Sequence, residues 1–337
     1  MPQLITYCRA GFERESAEEL AATLGLSAQR AEANSGFVVA EGAQAAALER
    51  RDLHRLIFAR QALLAFAHLP GLARQDRLTP LLAPLQPRDE RWCDAWVEAP
   101  DSDAGKALAP FCRSFGNALI GALKKAQRLD ARAPRRLHAF FPSGEEAWLG
   151  TTDAARSAPW PQGIPRLKFP REAPSRSTLK LDEAFLVLLD AGERERWLKP
   201  GMSAVDLGAA PGGWTWQLVR RSLRVTAVDN GPIDRALMQS GLVTHLRADG
   251  FRFRPKKPVD WLVCDMVEQP RRVADLIAQW LADGACRRAV FNLKLPMKKR
   301  WDETQQCLDR VRAAAADVRA KQLYHDREEI TVFAQRA

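Results

Sequence analysis

The chain has 337 residues, 46% of them hydrophobic and 27% charged, with a formal net charge of +10 and a pI near 9.6. That length suits about two domains, each able to bury its own core, and the basic balance favours a polyanionic partner. No run of about 18 uncharged apolar residues exists, and MPQLITYCRAGFERE at the N-terminus has no apolar segment preceded by basic residues, so a soluble cytoplasmic protein is expected, with no membrane partner. The six cysteines (Cys8, Cys93, Cys112, Cys264, Cys286 and Cys307) are scattered without a C-x-x-C pair or a nearby histidine at ligand spacing. Buried reduced thiols are expected, with neither a disulfide framework nor a metal site.

In chain order, LITYCRAGF reads as a strand. ERESAEELAATLGL reads as a helix, with acidic residues in its first turn and Gly25 near its end. GFVVAEG is a second strand and AQAAALERR a second helix. KALAPFCRSFGNALIGALKKAQR has the spacing of an amphipathic helix with basic residues near its C-terminal end, where they suit the helix dipole. RRLHAFFPSGEEAWLG reads as a hairpin turning at Pro142, Ser143 and Gly144. Together these predict a mixed α+β domain over residues 1–156 with nothing catalytic in it. SAPWPQGIPRLKFPREAPSRS, with five prolines, predicts a semi-rigid linker over residues 157–176.

The positive charge is concentrated in the middle of the chain. Between Gly105 and Arg176 there are 13 lysines and arginines against 5 aspartates and glutamates. These charges are either solvated helix faces or, in company with Phe140, Phe141, Trp160 and Phe169, a surface for phosphates and unpaired bases. Lys124, Lys125, Arg135, Arg136, Lys168 and Arg171 are the candidate nucleic-acid contacts in this stretch.

Beyond residue 176 the pattern is α/β. SAVDLGA, RVTAVDN, VTHLRAD, DWLVCDM and RAVFNLKL are strand-like runs separated by helical or loop segments, and AKQLYHD and EITVFAQ close the chain. Such alternation predicts a doubly wound, mostly parallel seven-stranded sheet over residues 177–337, with ligands at the C-terminal strand ends.

AVDLGAAPGGWTWQL places a small-residue loop between a strand and a helix. Gly208, Gly212 and Gly213 let backbone approach a ligand closely, Pro211 stiffens the turn and Trp214 begins the helix. The spacing is G-x-x-x-G-G, which argues against a dinucleotide; it resembles the loop by which Rossmann-like methyltransferases hold the amino-acid part of S-adenosylmethionine. Asp229, Asp249 and Asp265 fall at successive strand ends. Alone each is a turn or cap residue. After a glycine loop they suit a ribose diol, an adenine amino group and the neighbourhood of the reactive methyl, respectively.

AVFNLKLPMKKR is an apolar strand carrying Asn292 and Lys294 on one face. A lysine there is costly unless paired, neutral or working. Ending its strand beside Asp265, Lys294 can meet Lys180 from SRSTLKLDEAF and Glu329 from REEITVFAQ. Methyl transfer to a ribose hydroxyl needs alignment and removal of a proton. Burial and the like charge of Lys180 are expected to depress Lys294 below the ordinary lysine value of about 10.4, making it the base. Beyond Pro296, Lys298, Lys299 and Arg300 are either solvated or phosphate contacts.

SRSTLKLDEAF, DLGAAPGGW, VDNGP, DGFRFRP, VCDM, FNLKLPMKKRW and YHDREEITV resemble the M family of bacterial 23S ribosomal RNA 2′-O-ribose methyltransferases, in the FtsJ-like group. The resemblance implies a Lys-Asp-Lys-Glu tetrad at Lys180, Asp265, Lys294 and Glu329, with Glu329 preferred to Glu328 because it directly precedes the strand residues. It implies S-adenosylmethionine as cofactor, held by Ser177, Ala210, Pro211, Gly212, Gly213, Asp229, Asp249 and Asp265. It also implies a ferredoxin-like part and a THUMP RNA-binding domain in the first half, to which YCRAGFERESAEEL is similar, and a cytidine of 23S rRNA in the peptidyl-transferase region as substrate. No obligate protein partner is implied, and monomer and homodimer both stay open.

Other readings fit less well. A C5-pyrimidine methyltransferase needs a cysteine nucleophile, but Cys264 alternates to the face opposite Asp265 and reads as core. A base-amino methyltransferase calls for an Asn/Asp-Pro-Pro-aromatic run where this chain has DMVEQP. A nicotinamide dehydrogenase lacks its glycine spacing. An RNA-binding protein with a vestigial cofactor fold has no reason to keep four tetrad residues. His54, His68, His138, His245 and His325 form no cluster in the sequence and read as structural or surface residues.

Overall fold

The computed structural model describes residues 3–42 and 55–336. The helix expected in AQAAALERR and His54 lie outside the described residues. The chain divides into two units, Met1–Pro165 and Arg166–Ala337. The division falls inside the proline-rich segment, whose first half is part of the first unit. Ala158 and Ile164 are buried there, and the Gln162 N–H donates to Glu98 Oε1 at 2.5 Å.

The first unit contains β1 (Gln3–Tyr7), α1 (Glu13–Leu24), β2 (Ser27–Arg30), β3 (Phe37–Glu41), β4 (Gln61–Pro70), α2 (Leu78–Leu82), β5 (Ala95–Glu98), α3 (Asp103–Ala107), α4 (Ala109–Lys125), β6 (Arg135–Ser143) and β7 (Glu146–Asp153). Its strands form one sheet in the order β2-β3-β1-β4-β7-β6-β5. Among the described strands of this sheet, β5 and β6 pair in parallel and the other pairings are antiparallel. α1 stops where Gly25 turns left-handed, at φ 66°, and returns its N–H to the helix carbonyls. The single helix expected over 106–128 is two, because Pro110 suits the first turn of α4 and not a helix interior.

Phe140 and Phe141 do not offer faces to bases. As neighbours on β6 they point to opposite faces of the sheet, and both faces are covered. Phe140 stacks on Tyr7 with centroids 4.7 Å apart, and Phe141 meets Phe111 and Phe115 edge-on at 5.0 and 5.3 Å. Both are fully buried, which corrects the expectation from composition.

The second unit contains α5 (Thr178–Leu188), α6 (Ala191–Trp197), β8 (Ser203–Leu207), α7 (Gly213–Val219), β9 (Arg224–Val228), α8 (Arg235–Gln239), β10 (Val243–Leu246), β11 (Val259–Cys264), α9 (Pro270–Ala282), β12 (Cys286–Lys294), α10 (Arg300–Arg312), β13 (Asp317–Lys321) and β14 (Glu329–Gln335). The sheet order is β10-β9-β8-β11-β12-β14-β13. The first five strands are parallel and β14 is antiparallel to both its neighbours. All seven expected strands are present, although β13 begins three residues before AKQLYHD and ends at Lys321, leaving Asp326 in the following turn.

Strand order fixes the place of the site. From β8 the chain steps outward through β9 to β10, then returns to the other side of β8 as β11. The carboxyl ends of β8 and β11 therefore flank a switch point, where a doubly wound sheet opens a crevice. Beneath it lie Phe185, Trp261, Val263, Val290 and Phe333 in one apolar cluster.

Candidate active site

Four charged side chains close a ring at this edge. Lys294 ends β12 and its Nζ donates to Asp265 Oδ1 at 2.9 Å and Glu329 Oε2 at 2.7 Å. Lys180, in the first turn of α5, lies 3.3 Å from Asp265 Oδ2 and contacts Glu329 Oε1. Two ammoniums and two carboxylates thus alternate. Register explains half of this: Lys294 and Glu329 are directly opposed across β12 and β14, as are Asn292 and Thr331 two residues further in, on the same face. The parallel β11–β12 pairing accounts for Asp265, since it sets Cys264 beside Phe291 and leads Asp265 out toward Lys294, while Lys180 is brought in by α5 rather than by the sheet.

The charges do not act on Lys294 in the expected direction. Burial pulls its pKa down, but Asp265 and Glu329 together outweigh burial, so Lys294 sits above the ordinary lysine value. Burial likewise pushes Glu329 up, and the two lysines more than offset it, holding Glu329 below the usual carboxylate range. In the resting ring Lys294 is an ammonium, contrary to the expectation that burial and Lys180 make it neutral. Carboxylates within hydrogen-bond reach are the stronger influence.

The glycine loop follows β8. An added Cβ at Gly208 would lie 2.6 Å from Met266 Cγ, at Gly212 2.4 Å from Leu237 Cδ1 and at Gly213 2.2 Å from Ser177 Oγ. Gly208 and Gly212 also have φ of 76° and 115°, which side-chain-bearing residues rarely adopt, so backbone conformation and tight neighbours both favour glycine here, a reason that the sequence reading, with a ligand in view, did not include. Ser177 precedes α5, and its carbonyl accepts the Trp214 Nε1–H at 3.1 Å, tying the start of α5 to the start of α7. Pro211 follows Ala210 through a cis peptide bond. Asp229, just past β9, accepts the Ala210 N–H at 3.0 Å and the Gly231 N–H at 2.7 Å, so it shapes the loop. Asp249 lies three residues past β10, exposed, and accepts the Phe251 N–H at 2.9 Å as a turn residue does.

Among the candidate RNA contacts, Lys124, Lys125, Lys168, Arg171, Lys298 and Lys299 are exposed. Arg135 pairs with Glu90 at 3.4 Å, Arg136 lies over the Trp96 ring at 3.7 Å and Arg300 pairs with Glu328 at 2.5 Å. These three are held within the fold, because each has an acid or a ring on an adjoining element. Cys264 is buried and its thiol is pushed up to about 12, chiefly by burial, so it carries no thiolate near neutral pH. All six cysteines are free thiols; Cys93 alone is only half-buried.

Several residues at this edge went unassigned in the sequence reading. Asp206 on β8 is buried and accepts the Thr215 hydroxyl at 2.6 Å, and burial pushes its pKa up to about 7. Its signal was the lone acid in SAVDLGA. Val267 and Met297 are 90% and 91% exposed on the segments following β11 and β12. An apolar residue among polar and charged neighbours, in DMVEQPRR and PMKKR, is the mark that singles them out. Asn292 shared Lys294's face in the sequence reading but had no role; it donates to Asp265 Oδ1 at 2.8 Å.

Comparison with known proteins adds the family. Over 349 aligned residues the chain is 57% identical to the ribosomal RNA large subunit methyltransferase M of Xanthomonas oryzae pv. oryzae (strain PXO99A), covering 100% of both chains. The chain belongs to the ribosomal RNA large subunit methyltransferase M family. Another member, from Xanthomonas campestris pv. campestris (strain B100), is also 57% identical over 100% of both chains. Residues 173–296 match the FtsJ-like methyltransferase family, residues 76–153 the N-terminal domain of ribosomal RNA large subunit methyltransferase M, and residues 1–63 the ferredoxin-like domain of the M family. The likeness to the solved structure of TrmN from Thermus thermophilus is weaker, with a TM-score of 0.40 at 20% identity over 99% of this chain and 100% of that one. Membership makes the chain a methyltransferase. Among its described residues no helix is long and apolar enough to cross a membrane.

Proposed function

We propose that the chain is a cytoplasmic S-adenosylmethionine-dependent methyltransferase acting on the 2′-hydroxyl of a cytidine in the peptidyl-transferase region of 23S rRNA, with Lys294 as the base. The observation that carries the reading is the ring of Lys180, Asp265, Lys294 and Glu329 at the switch point of an FtsJ-like domain. The substrate comes from the family, whose members carry ribosomal RNA in their name.

The residues present suit the cofactor. Acceptor carboxylates follow β9, β10 and β11 along one sheet edge, which fits a ribose diol at Asp229, an exocyclic amine at Asp249 and a cationic centre beside Asp265. Gly208, Ala210, Pro211, Gly212, Gly213, Trp214 and Ser177 form the packed loop next to them. When bound, S-adenosylmethionine supplies a methyl group on a sulfonium, open to in-line displacement by the ribose oxygen.

The side chains then have separable tasks. Lys294 must lose its resting proton before it can accept the one from the 2′-hydroxyl. Positive charge brought to Asp265 competes for the carboxylate that keeps Lys294 protonated, and so favours the neutral amine. Lys180 holds Asp265 and Glu329 in place while Lys294 changes charge. Val267 and Met297, exposed beyond the ends of the tetrad strands, suit contact with the target base. In the first unit the exposed Lys124 and Lys125 suit the phosphates of the same RNA, the role expected of a THUMP domain.

Mapping 2′-O-methyl groups in 23S rRNA from cells lacking the gene tests the proposal. One ribose methyl in the peptidyl-transferase region should disappear and return with the wild-type gene; an unchanged map would sink it.

A further inference from the structure

Behind the tetrad, β12 and β14 carry a second set of polar groups, and these are sealed from solvent. Asn292 and Thr331 are 0% exposed and Asp326, in the turn before β14, is 1% exposed. Asn292 Nδ2 is 2.8 Å from Asp265 Oδ1, and Asn292 Oδ1 is 2.7 Å from Thr331 Oγ1. Thr331 Oγ1 in turn lies 3.1 and 3.0 Å from the two carboxyl oxygens of Asp326.

Counting hydrogens along this path leaves one arrangement. Asp265, contacted by two ammoniums, is a carboxylate and only accepts, so Asn292 must turn its amide N–H toward it. That leaves Asn292 Oδ1 as an acceptor facing Thr331. The threonine hydroxyl has a single hydrogen, and the 2.7 Å contact to Asn292 uses it. The contact between Thr331 and Asp326 then has no hydrogen unless Asp326 brings one.

We propose that Asp326 is a protonated carboxylic acid at neutral pH and the fixed end of a one-way hydrogen-bond chain, Asp326 to Thr331 to Asn292 to Asp265, that positions Asp265 in the tetrad. Asp326 is a positioning residue; it reaches the reacting atoms only through Asp265. The groups facing it agree with this. Burial and the negative charges of Glu329 and Glu183 hold its proton well above the usual carboxylate range, opposed by the Leu323 N–H, 3.0 Å from Oδ2, and by Lys180. An ionised Asp326 would instead draw the Thr331 hydrogen to itself, leave Asn292 Oδ1 facing a bare oxygen lone pair, and free the amide to flip away from Asp265.

The positional part of this inference rests on the function proposed above, while the protonation state stands apart from it. Two readouts separate them. In a difference infrared spectrum of the full chain at pH 7, wild type minus Asp326→Asn, a protonated-carboxyl band is expected. Its absence overturns the proposal, whatever the activity. The amide introduced by Asp326→Asn is neutral and still donates, so D326N should keep kcat for methylation of 23S rRNA within about threefold, while Thr331→Val and Asp326→Ala lower kcat about tenfold to a hundredfold. The KM for S-adenosylmethionine should stay unchanged in all three. A D326N enzyme as impaired as a folded D326A enzyme would show that the charge, not the proton, is needed, and would overturn it. A wild-type protein that transfers no methyl group to 23S rRNA would sink the functional reading, and the infrared band would still decide the state of Asp326.

Discussion

Each unit contains a buried polar cluster, and the two are built differently. In the first, Glu98 Oε2 accepts the Tyr7 hydroxyl at 3.0 Å and lies 2.7 Å from His138 Nδ1, whose other ring nitrogen is 3.0 Å from Thr152 Oγ1. Tyr7, Glu98, His138 and Thr152 are all buried, and each polar group has a partner inside the unit. In the second, Lys180 and Lys294 keep 16% and 22% of their side chains in solvent while sharing two carboxylates. The first cluster resembles a closed circuit that ties β1, β5, β6 and β7 together. The second has partly exposed ammoniums, with three donors each, at the carboxyl edge of the sheet. Burial of polar groups is common to both. What separates a site from a structural network is residual access together with charge that can change.

The largest effect should come from breaking the second cluster. Lys294→Met keeps much of the aliphatic stem and removes the amine, and is expected to lower kcat by about a hundredfold to ten-thousandfold. Cofactor affinity, read by calorimetric titration of S-adenosylmethionine, should change little. Because Asp265 and Glu329 hold Lys294 above the ordinary lysine value, its neutral amine is scarce at neutral pH. Wild-type turnover should therefore climb as pH rises above neutral, with no such climb in K294M. Turnover by K294M at the wild-type rate would remove Lys294 from the chemistry.

Breaking the first cluster should act on stability instead. Glu98→Ala leaves the Tyr7 hydroxyl and the His138 ring without their shared acceptor, at a cost of about 3 kcal/mol. The unfolding transition of the first unit should move to lower denaturant. Turnover by the protein that remains folded should match wild type. A loss of kcat with unchanged stability would mean that the two clusters are not as different as their geometry indicates.

Much of the second unit was legible from sequence because its signals are local. Apolar strands alternating with helices predicted the parallel sheet, and a strand-loop-helix run with three glycines marked a cofactor loop, whereas the switch point beside it comes only from the strand order. The tetrad residues could be named because each stands at the end of a strand or the start of a helix. Register is different: that Asn292 faces Thr331, and that Asp326 lies behind both, depends on the pairing of β12 with β14, which no local pattern encodes. The direction of the Lys294 shift was missed for a related reason. Burial and attraction oppose each other, and only contacts of 2.7 and 2.9 Å decide which is larger. Phe140 and Phe141 misled because composition does not reveal covered faces, and the rings that cover them come from β1 and α4, far away in the chain.

The smallest expected effect concerns the basic run after Pro296, and it tests whether access alone makes a charge functional. Lys298 and Lys299 are exposed, and Lys299 adopts a left-handed backbone, at φ 55°, just before α10. Arg300, the next residue, is engaged with Glu328. If the two lysines meet phosphates, Lys298→Ala with Lys299→Ala should weaken binding of 23S rRNA fragments and reduce the slope of log affinity against log salt by about 0.7 to 0.9 for each phosphate no longer neutralised. Arg300→Ala should leave that slope nearly unchanged, since its charge is already neutralised by Glu328. Turnover at saturating RNA should survive in the double variant, because neither lysine belongs to the ring at Asp265. A slope equal to wild type would make Lys298 and Lys299 solvated charges only, and exposure beside an active site would then be insufficient to assign a residue to its substrate.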